Sequence, residues 1–119
     1  MENKILIYDD DVEILLLCKA ILSKYKYTTE TLMRCDDILN DIESLKPDLI
    51  LMDLWIPEMG GEKAIAIAKQ NEQTRHIPIL VFSANADIAD ISVKLQADGF
   101  VEKPFTINHL IQTIQKHLF

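Results

Sequence analysis

Residues 47–54 read Pro47-Asp48-Leu49-Ile50-Leu51-Met52-Asp53-Leu54, with four apolar side chains in a row between two aspartates. A continuous apolar run of this length is typical of a parallel strand that is buried on both faces of a sheet. A loop over residues 55–61, which ends in two adjacent glycines, follows the run. The stretch therefore predicts a central strand from Leu49 to Met52, with Asp53 at its carboxyl end.

The rest of the chain repeats this alternation of apolar runs with segments of helical period. Four further strands are predicted at Lys4 to Tyr8, Tyr27 to Leu32, Pro78 to Phe82 and Gly99 to Glu102. The apolar faces of the five predicted helices consist of Ile14, Leu17, Cys18, Ile21, Leu22 and Tyr25; Ile38, Leu39, Ile42 and Leu45; residues around Ala64 to Lys69; Ile88, Ile91 and Leu95; and Ile107, Leu110, Ile111, Ile114 and Leu118. Five strand-helix units predict an α/β domain with a doubly wound parallel sheet.

Composition narrows the class of protein. The chain has 119 residues, close to the commonest domain size, so residues 1–119 are expected to form one domain. A formal net charge of −7 disfavours direct binding to nucleic acid or to an anionic membrane. No apolar run reaches the length of a signal-peptide core or a membrane span, which predicts a cytoplasmic protein. Cys18 and Cys35 lack metal-ligand spacing and are predicted to be reduced thiols.

Polar side chains stand where the predicted strands end. They are Asp9-Asp10-Asp11 after the first strand, Asp53 after the third, Ser83 after the fourth and Lys103-Pro104 after the fifth. Because the carboxyl ends of parallel strands lie at one edge of the sheet, these side chains are expected to converge. Carboxylates that face one another repel unless a cation joins them, and their hard oxygens suit Mg²⁺. The pattern predicts a divalent-metal site.

Simpler explanations exist for some of these residues. The Asp triplet could cap the N-terminus of the first helix, which accounts for Asp11, but a cap uses one side chain and not three. Asp53 follows a buried strand, where a bare carboxylate is costly, and it could form an ion pair with Lys103. That ion pair is compatible with a metal site, so both interpretations stay open.

Five motifs resemble the response-regulator receiver family over nearly the whole chain, from Lys4 to Leu118. They occur in the family's order and approximate spacing, and they are Ile5-Leu6-Ile7-Tyr8-Asp9-Asp10-Asp11, Pro47-Asp48-Leu49-Ile50-Leu51-Met52-Asp53-Leu54, Ile56-Pro57-Glu58-Met59, Val81-Phe82-Ser83-Ala84 and Gly99-Phe100-Val101-Glu102-Lys103-Pro104-Phe105. The resemblance implies a five-stranded parallel sheet in the flavodoxin-like order 2-1-3-4-5.

The resemblance also implies roles for the acidic residues. Asp53 would be the phosphoacceptor, a nucleophile toward a phosphohistidine or a small acyl phosphate. Asp10, Asp53 and the backbone carbonyl of Trp55 would hold Mg²⁺ directly, and Asp9 would assist through water. The cofactor implied is therefore Mg²⁺.

Three other positions match residues that respond to the phosphoryl group in the family. Lys103, joined to Pro104 by a cis peptide bond, would aim its ammonium at Asp53 and neutralise the phosphoryl oxygens. The Ser83 hydroxyl would bind a phosphoryl oxygen, and Phe100 would be the switch aromatic. Phosphorylation would then alter the surface formed by the fourth helix, the fifth strand and the fifth helix.

The sequence departs from the family pattern in the loop after the third strand. The family usually has Asp before the glycine, whereas Gly60 precedes Gly61 here, so a side chain that could cap the third helix is missing and a looser loop is expected. Trp55 and Asn85 are expected to flank the path of a hydrolytic water and to tune the lifetime of the phosphoryl group.

Three classes of function are compared. A phosphorylation switch would take its phosphoryl group from a sensor histidine kinase or phosphotransfer protein and control a target protein or a linked output domain, as a regulator and not an enzyme. A pseudo-receiver that acts only as an interaction module usually lacks an acidic or lysine position, whereas Asp9, Asp10, Asp53 and Lys103 are all present. A phosphatase of the haloacid-dehalogenase type needs a second Asp at position 55, which is Trp55. Whether the chain acts alone or within a longer protein stays open.

Overall fold

The computed structural model describes residues 2–56 and 59–118, and five strands alternate with five helices in these ranges. The elements are β1 (Lys4–Tyr8), α1 (Val12–Lys24), β2 (Thr28–Leu32), α2 (Ile38–Leu45), β3 (Leu49–Met52), α3 (Gly61–Gln70), β4 (Ile79–Ser83), α4 (Ile88–Lys94), β5 (Gly99–Glu102) and α5 (Ile107–His117). None of these helices is both long and apolar enough to cross a membrane. Pro57 and Glu58, which the sequence assigns to the loop after β3, lie outside the described residues.

All neighbouring strands run parallel, in the order β2-β1-β3-β4-β5. This confirms the predicted fold class and strand order. In the register between β1 and β3, Tyr8 lies opposite Met52, so Asp9 and Asp53 leave the sheet side by side. The topology thus delivers the two acidic strand ends to adjacent positions at one edge.

The sheet separates two apolar layers, because successive side chains of a strand point to opposite faces. Ile5, Ile7, Leu49 and Leu51 pack with α1 and α5 on one face. The alternate residues of these strands point to the other face, where they pack with α2, α3 and α4. They include Leu6, Tyr8, Ile50 and Met52. The continuous burial of β3 explains why its sequence shows no alternation.

The buried face of α1 differs from the predicted one. Leu15 is buried, whereas Leu17 is 50% exposed and Tyr25 is also exposed at the end of the helix. Residues 14–17 are all apolar, so their spacing alone cannot fix which side turns toward the sheet. Ile107, the first residue of α5, is likewise exposed. These three exposed side chains line a shallow surface groove of 420 Å³ between α1 and α5.

The Lys69 side chain, which is largely buried, links the segments at the amino end of the sheet. This end is opposite to the strand ends that carry the acidic residues. The Lys69 ammonium donates to the carbonyl oxygens of Arg75 and Ile77 and to the Asp98 carboxylate, the last at 2.6 Å. The same Asp98 oxygen accepts the backbone N–H of Ile79 at 2.8 Å. One charge cluster therefore joins α3, the start of β4 and the turn before β5.

Cys18 and Cys35 are both buried and free. Cys18 lies in the layer beneath α1, and Cys35 lies in the layer on the opposite face of the sheet. Burial raises the pKa of the Cys18 thiol to about 12 and also raises the pKa of Cys35. Two separated, protonated thiols confirm the prediction of reduced cysteines with Cys18 in the core.

Candidate functional site

The predicted site residues converge at the carboxyl edge of the sheet because each follows or ends a parallel strand. Backbone hydrogen bonds extend the sheet just beyond the strand ends. The Asp53 N–H donates to the Tyr8 carbonyl at 2.9 Å, and the Lys103 N–H donates to the Ser83 carbonyl at 2.9 Å. The side chains that follow β1, β3 and β5 are therefore held by sheet hydrogen bonding as well as by their loops.

Three carboxylates form the centre of the edge. Oxygen atoms of Asp9, Asp10 and Asp53 all lie within 4.8 Å of one another. Asp9 is 1% exposed and Asp53 is 5% exposed, whereas Asp10 faces solvent. Because the carboxylates repel one another, a cation between them is favoured, and an oxygen-only donor set with one open side matches the preference of Mg²⁺ for carboxylates plus retained water. The residues present fit that ion.

Burial raises the pKa of Asp53 to about 6, well above the ordinary carboxyl value. The Lys103 ammonium lowers this pKa, the Asp9 carboxylate raises it, and the hydrogen bond from the Trp55 backbone N–H to Asp53 Oδ1 at 3.3 Å lowers it. Desolvation is the largest of these effects. Without a divalent cation, the one ammonium therefore does not fully offset the cost of keeping Asp53 charged near neutral pH.

We expect Asp53→Asn to raise the free energy of unfolding of the metal-free protein at pH 7 by about 1–3 kcal/mol. The folded state binds the Asp53 proton more tightly than the unfolded state does. The free energy of unfolding of the wild type therefore falls, through this group, as pH rises from about 4 to 6. The gain from Asp53→Asn should therefore shrink as pH falls through that window. Urea unfolding of both proteins at pH 4.5 and pH 7, with a chelator present, measures it. Equal stabilities at pH 7 would contradict the expectation.

Lys103 lies closer to Asp9 than to the residue it was expected to face. Its ammonium is 2.6 Å from Asp9 Oδ2 and 3.8 Å from Asp53 Oδ1. The expected cis peptide bond between Lys103 and Pro104 is present. The ion pair offered as an alternative for Asp53 is therefore present only as the longer of two contacts. Lys103 pairs with both carboxylates, and its contact with the buried Asp9 is the shorter one.

Asp11 has the capping role that the sequence offered as an alternative for the triplet. Its Oδ1 accepts the backbone N–H of Glu13 at 2.9 Å and that of Ile14 at 3.4 Å, so Asp11 is the N-cap of α1. Its own N–H donates to Asp9 Oδ1 at 3.0 Å. Capping therefore accounts for one carboxylate of the triplet, that of Asp11. The backbone N–H of Asp11 helps to orient a second, that of Asp9.

Ser83 and Phe100 lie on the neighbouring strands β4 and β5, Ser83 at the carboxyl end of its strand and Phe100 one residue from the start of its strand. Ser83 is buried at the end of β4, and its Oγ accepts the backbone N–H of Asn85 at 3.1 Å. Phe100 is half-buried on β5, opposite Val81, and it packs against the layer that contains α4. The hydroxyl is thus tied to the loop before α4, and the aromatic ring is tied to the core beneath that helix.

Gly60 and Gly61, which precede and begin α3, lie close to the backbone that follows β3. Gly60 has a φ of 75°, and α3 has no side-chain cap at this position, in line with the missing Asp. A Cβ on Gly61 would lie 2.1 Å from the Asp53 carbonyl oxygen. Gly61 therefore lets the start of α3 touch the backbone of Asp53.

Trp55 and Asn85 border the same open groove of 340 Å³ beside the site. Trp55 is 75% exposed. Their predicted influence on water access stays a prediction, as does the role of the Trp55 carbonyl as a metal ligand.

Sequence reasoning missed an aromatic pair beneath the lysine. The Lys103 ammonium lies 4.6 Å from the centre of the Phe82 ring, and the Phe82 and Phe105 rings are 5.5 Å apart. Phe82 immediately precedes Ser83 and Phe105 follows the Lys103-Pro104 pair, but nothing in these apolar residues signals a contact with an ammonium. Both lie within motifs of the receiver resemblance, which assigns no role to either residue.

Comparisons with known proteins agree with this fold. The family model for the response regulator receiver domain matches residues 5–115. The sensory transduction protein BceR of Halalkalibacterium halodurans is 29% identical over 114 residues, covering 94% of this chain and 48% of that protein. The alkaline phosphatase synthesis transcriptional regulatory protein PhoP of Bacillus subtilis is 33% identical over 109 residues, covering 89% of this chain and 44% of that protein. The chain thus spans about half the length of the curated relatives it matches.

A solved structure gives the same picture of the fold. The chemotaxis response regulator CheY4 of Vibrio cholerae superposes with a TM-score of 0.89 at 24% identity, covering 99% of this chain and 100% of that one. At this identity the likeness shows the fold alone. The match extends over the strands and helices that carry the acidic edge.

Proposed function

Because the chain belongs to the response regulator receiver domain family, we propose that it is a phosphoacceptor switch of a two-component phosphorelay, with Asp53 as the acceptor. The observation that carries the proposal is the cluster of Asp9, Asp10 and Asp53 with the Lys103 ammonium against it. This cluster is costly for the fold unless a divalent cation joins the carboxylates, and such a cation together with Lys103 would offset the charge of an incoming phosphoryl group.

The proposed reaction is phosphoryl transfer to a carboxylate. An Asp53 oxygen attacks phosphorus, and a P–O bond forms while the P–N bond of a phosphohistidine breaks and its electron pair leaves with the imidazole. Lys103 offsets negative charge on the transferring oxygens. Asp10, Asp53 and the Trp55 carbonyl would hold Mg²⁺, with Asp9 acting through water, and the bound ion would add positive charge beside those oxygens.

The proposed switch follows from where Ser83 and Phe100 lie. A phosphoryl oxygen that accepts a hydrogen bond from the Ser83 hydroxyl would draw in the loop that Ser83 holds through Asn85. Phe100 would then repack on β5 beneath α4. The phosphoryl group would favour the conformation that binds it better, and the surface of α4, β5 and α5 would change for a partner.

The proposed partners are a sensor histidine kinase or a phosphotransfer protein as donor, and a target protein or a covalently linked output domain as recipient. We place this exchange in the cytoplasm. The protein is a regulatory phosphoacceptor that catalyses only its own phosphoryl transfer and slow dephosphorylation. We expect no direct contact of this domain with nucleic acid or an anionic membrane, because its net charge of −7 repels their phosphates.

Acetyl phosphate with Mg²⁺ should add one phosphoryl group to the protein, and excess chelator should prevent the addition. Intact-mass spectrometry at successive times measures both outcomes. A folded protein that gains no mass with Mg²⁺ would contradict the proposal and favour the pseudo-receiver. Equal gain with the chelator would contradict the role of the metal.

A further inference from the structure

We propose that Phe82 is a positioning residue for Lys103, and that its ring holds the ammonium where a phosphoryl oxygen on Asp53 can receive it. This inference rests on the proposed function and adds to it a residue that offers no polar atom. It starts from the two nearest partners of the ammonium, the Asp9 carboxylate at 2.6 Å and the Phe82 ring centre at 4.6 Å.

The geometry gives the ring an electrostatic role. The Lys103 side chain is only 18% exposed, so its ammonium has lost much of its water. An ammonium over the face of an aromatic ring within about 6 Å is attracted by the ring quadrupole, and this attraction grows with desolvation. Phe82 is completely buried and thus fixed in place.

The ring also leaves the ammonium free to donate. An ammonium has three N–H donors, and Asp9 takes one of them. A second carboxylate in place of Phe82 would take another N–H. The ring attracts the charge without a lone pair, so at least one N–H stays available toward Asp53, 3.8 Å away.

Phe105 packs against the Phe82 ring. Its centre is 5.5 Å from that of Phe82, within the usual range for an aromatic pair, and the ring planes are tilted by 47°. Phe105 follows Lys103 by two residues, so the segment that carries the lysine also packs against the ring beneath it. Phe105 makes a ring contact with Phe82, and it serves as a matched control for loss of aromatic electron density.

The test replaces Phe82 with phenylalanines that carry one, two or three ring fluorines, because fluorine weakens the ring quadrupole with little change in shape. We expect the rate of phosphorylation by acetyl phosphate with Mg²⁺ to fall stepwise, to about a third to a tenth of the wild-type rate with three fluorines. The same fluorinated residues at position 105 should change the rate by less than about twofold. No fall at position 82, or an equal fall at position 105, would overturn the inference.

A second measurement does not depend on phosphorylation. In metal-free protein, NMR should show the ε-methylene protons of Lys103 shifted upfield by the Phe82 ring, and Phe82→Leu should remove that shift. An unshifted signal in the wild type would overturn the inference. If the shift is present but the protein accepts no phosphoryl group, the proposed function fails and the placement of the ammonium by Phe82 stands.

Discussion

Asp53→Asn should abolish the addition of a phosphoryl group from acetyl phosphate in the presence of Mg²⁺. The asparagine side chain keeps the shape of Asp53 but has no carboxylate oxygen to attack phosphorus. It also removes one negative charge from the trio with Asp9 and Asp10, which weakens the metal site. Intact-mass spectrometry over a time course should show full conversion of the wild type and none of the variant.

Asp11→Asn is the matched control, because it makes the same chemical change in an aspartate of the same edge. Asp11 caps α1 and is not one of the three clustered carboxylates, and asparagine is also a good N-cap. We expect Asp11→Asn to be phosphorylated as the wild type is. Phosphorylation of Asp53→Asn, or equal loss in both variants, would show that another residue or a general effect is responsible.

Gly61→Ala should lower the free energy of unfolding by about 3 kcal/mol, the upper end of the usual cost of overpacking. The added Cβ would lie 2.1 Å from the Asp53 carbonyl oxygen and 3.0 Å from the Leu54 Cα, and neither backbone atom can rotate away. The start of α3 must then move from the end of β3. Thermal unfolding should show a midpoint lower by about 10 °C.

Gly99→Ala is the matched control for this substitution. A Cβ at position 99 would meet the His117 ring at 3.0 Å and a Leu80 methyl at 3.2 Å, and both are side-chain atoms that can shift. We expect a cost of about 1 kcal/mol at Gly99, well below that at Gly61. Similar midpoints for the two variants would show that the backbone contact at Gly61 is relieved without cost.

The fold could be predicted from the sequence because buried strands appear as short runs of apolar residues. The unbroken apolar run of β3, which ends next to Asp53, indicated a buried strand. The bounds of all five strands were predicted to within one residue. Which face of α1 is buried could not be predicted in full, because Ile14 to Leu17 place apolar side chains on nearly all sides of the helix. Leu15 turns inward and Leu17 outward through packing with the sheet, which no local spacing encodes.

The candidate site was predicted as a set of residues more accurately than as a set of contacts. Parallel strands bring their carboxyl ends together, so the convergence of Asp9, Asp53 and Lys103 followed from topology. The preference of Lys103 for Asp9 over Asp53 depends on differences of about an ångström between side chains of the same charge. The contact between Phe82 on β4 and Lys103 just after β5 joins residues 21 positions apart, and an apolar residue in a strand carries no sign of a charged neighbour.

Trp55 gives this protein an internal optical reporter. It is the only tryptophan of the chain, its side chain is exposed, and its backbone N–H is hydrogen-bonded to Asp53. All tryptophan emission therefore comes from one position, two residues from the proposed acceptor. We expect stopped-flow fluorescence of the unlabelled protein to follow the proposed binding of Mg²⁺ and the proposed phosphorylation of Asp53.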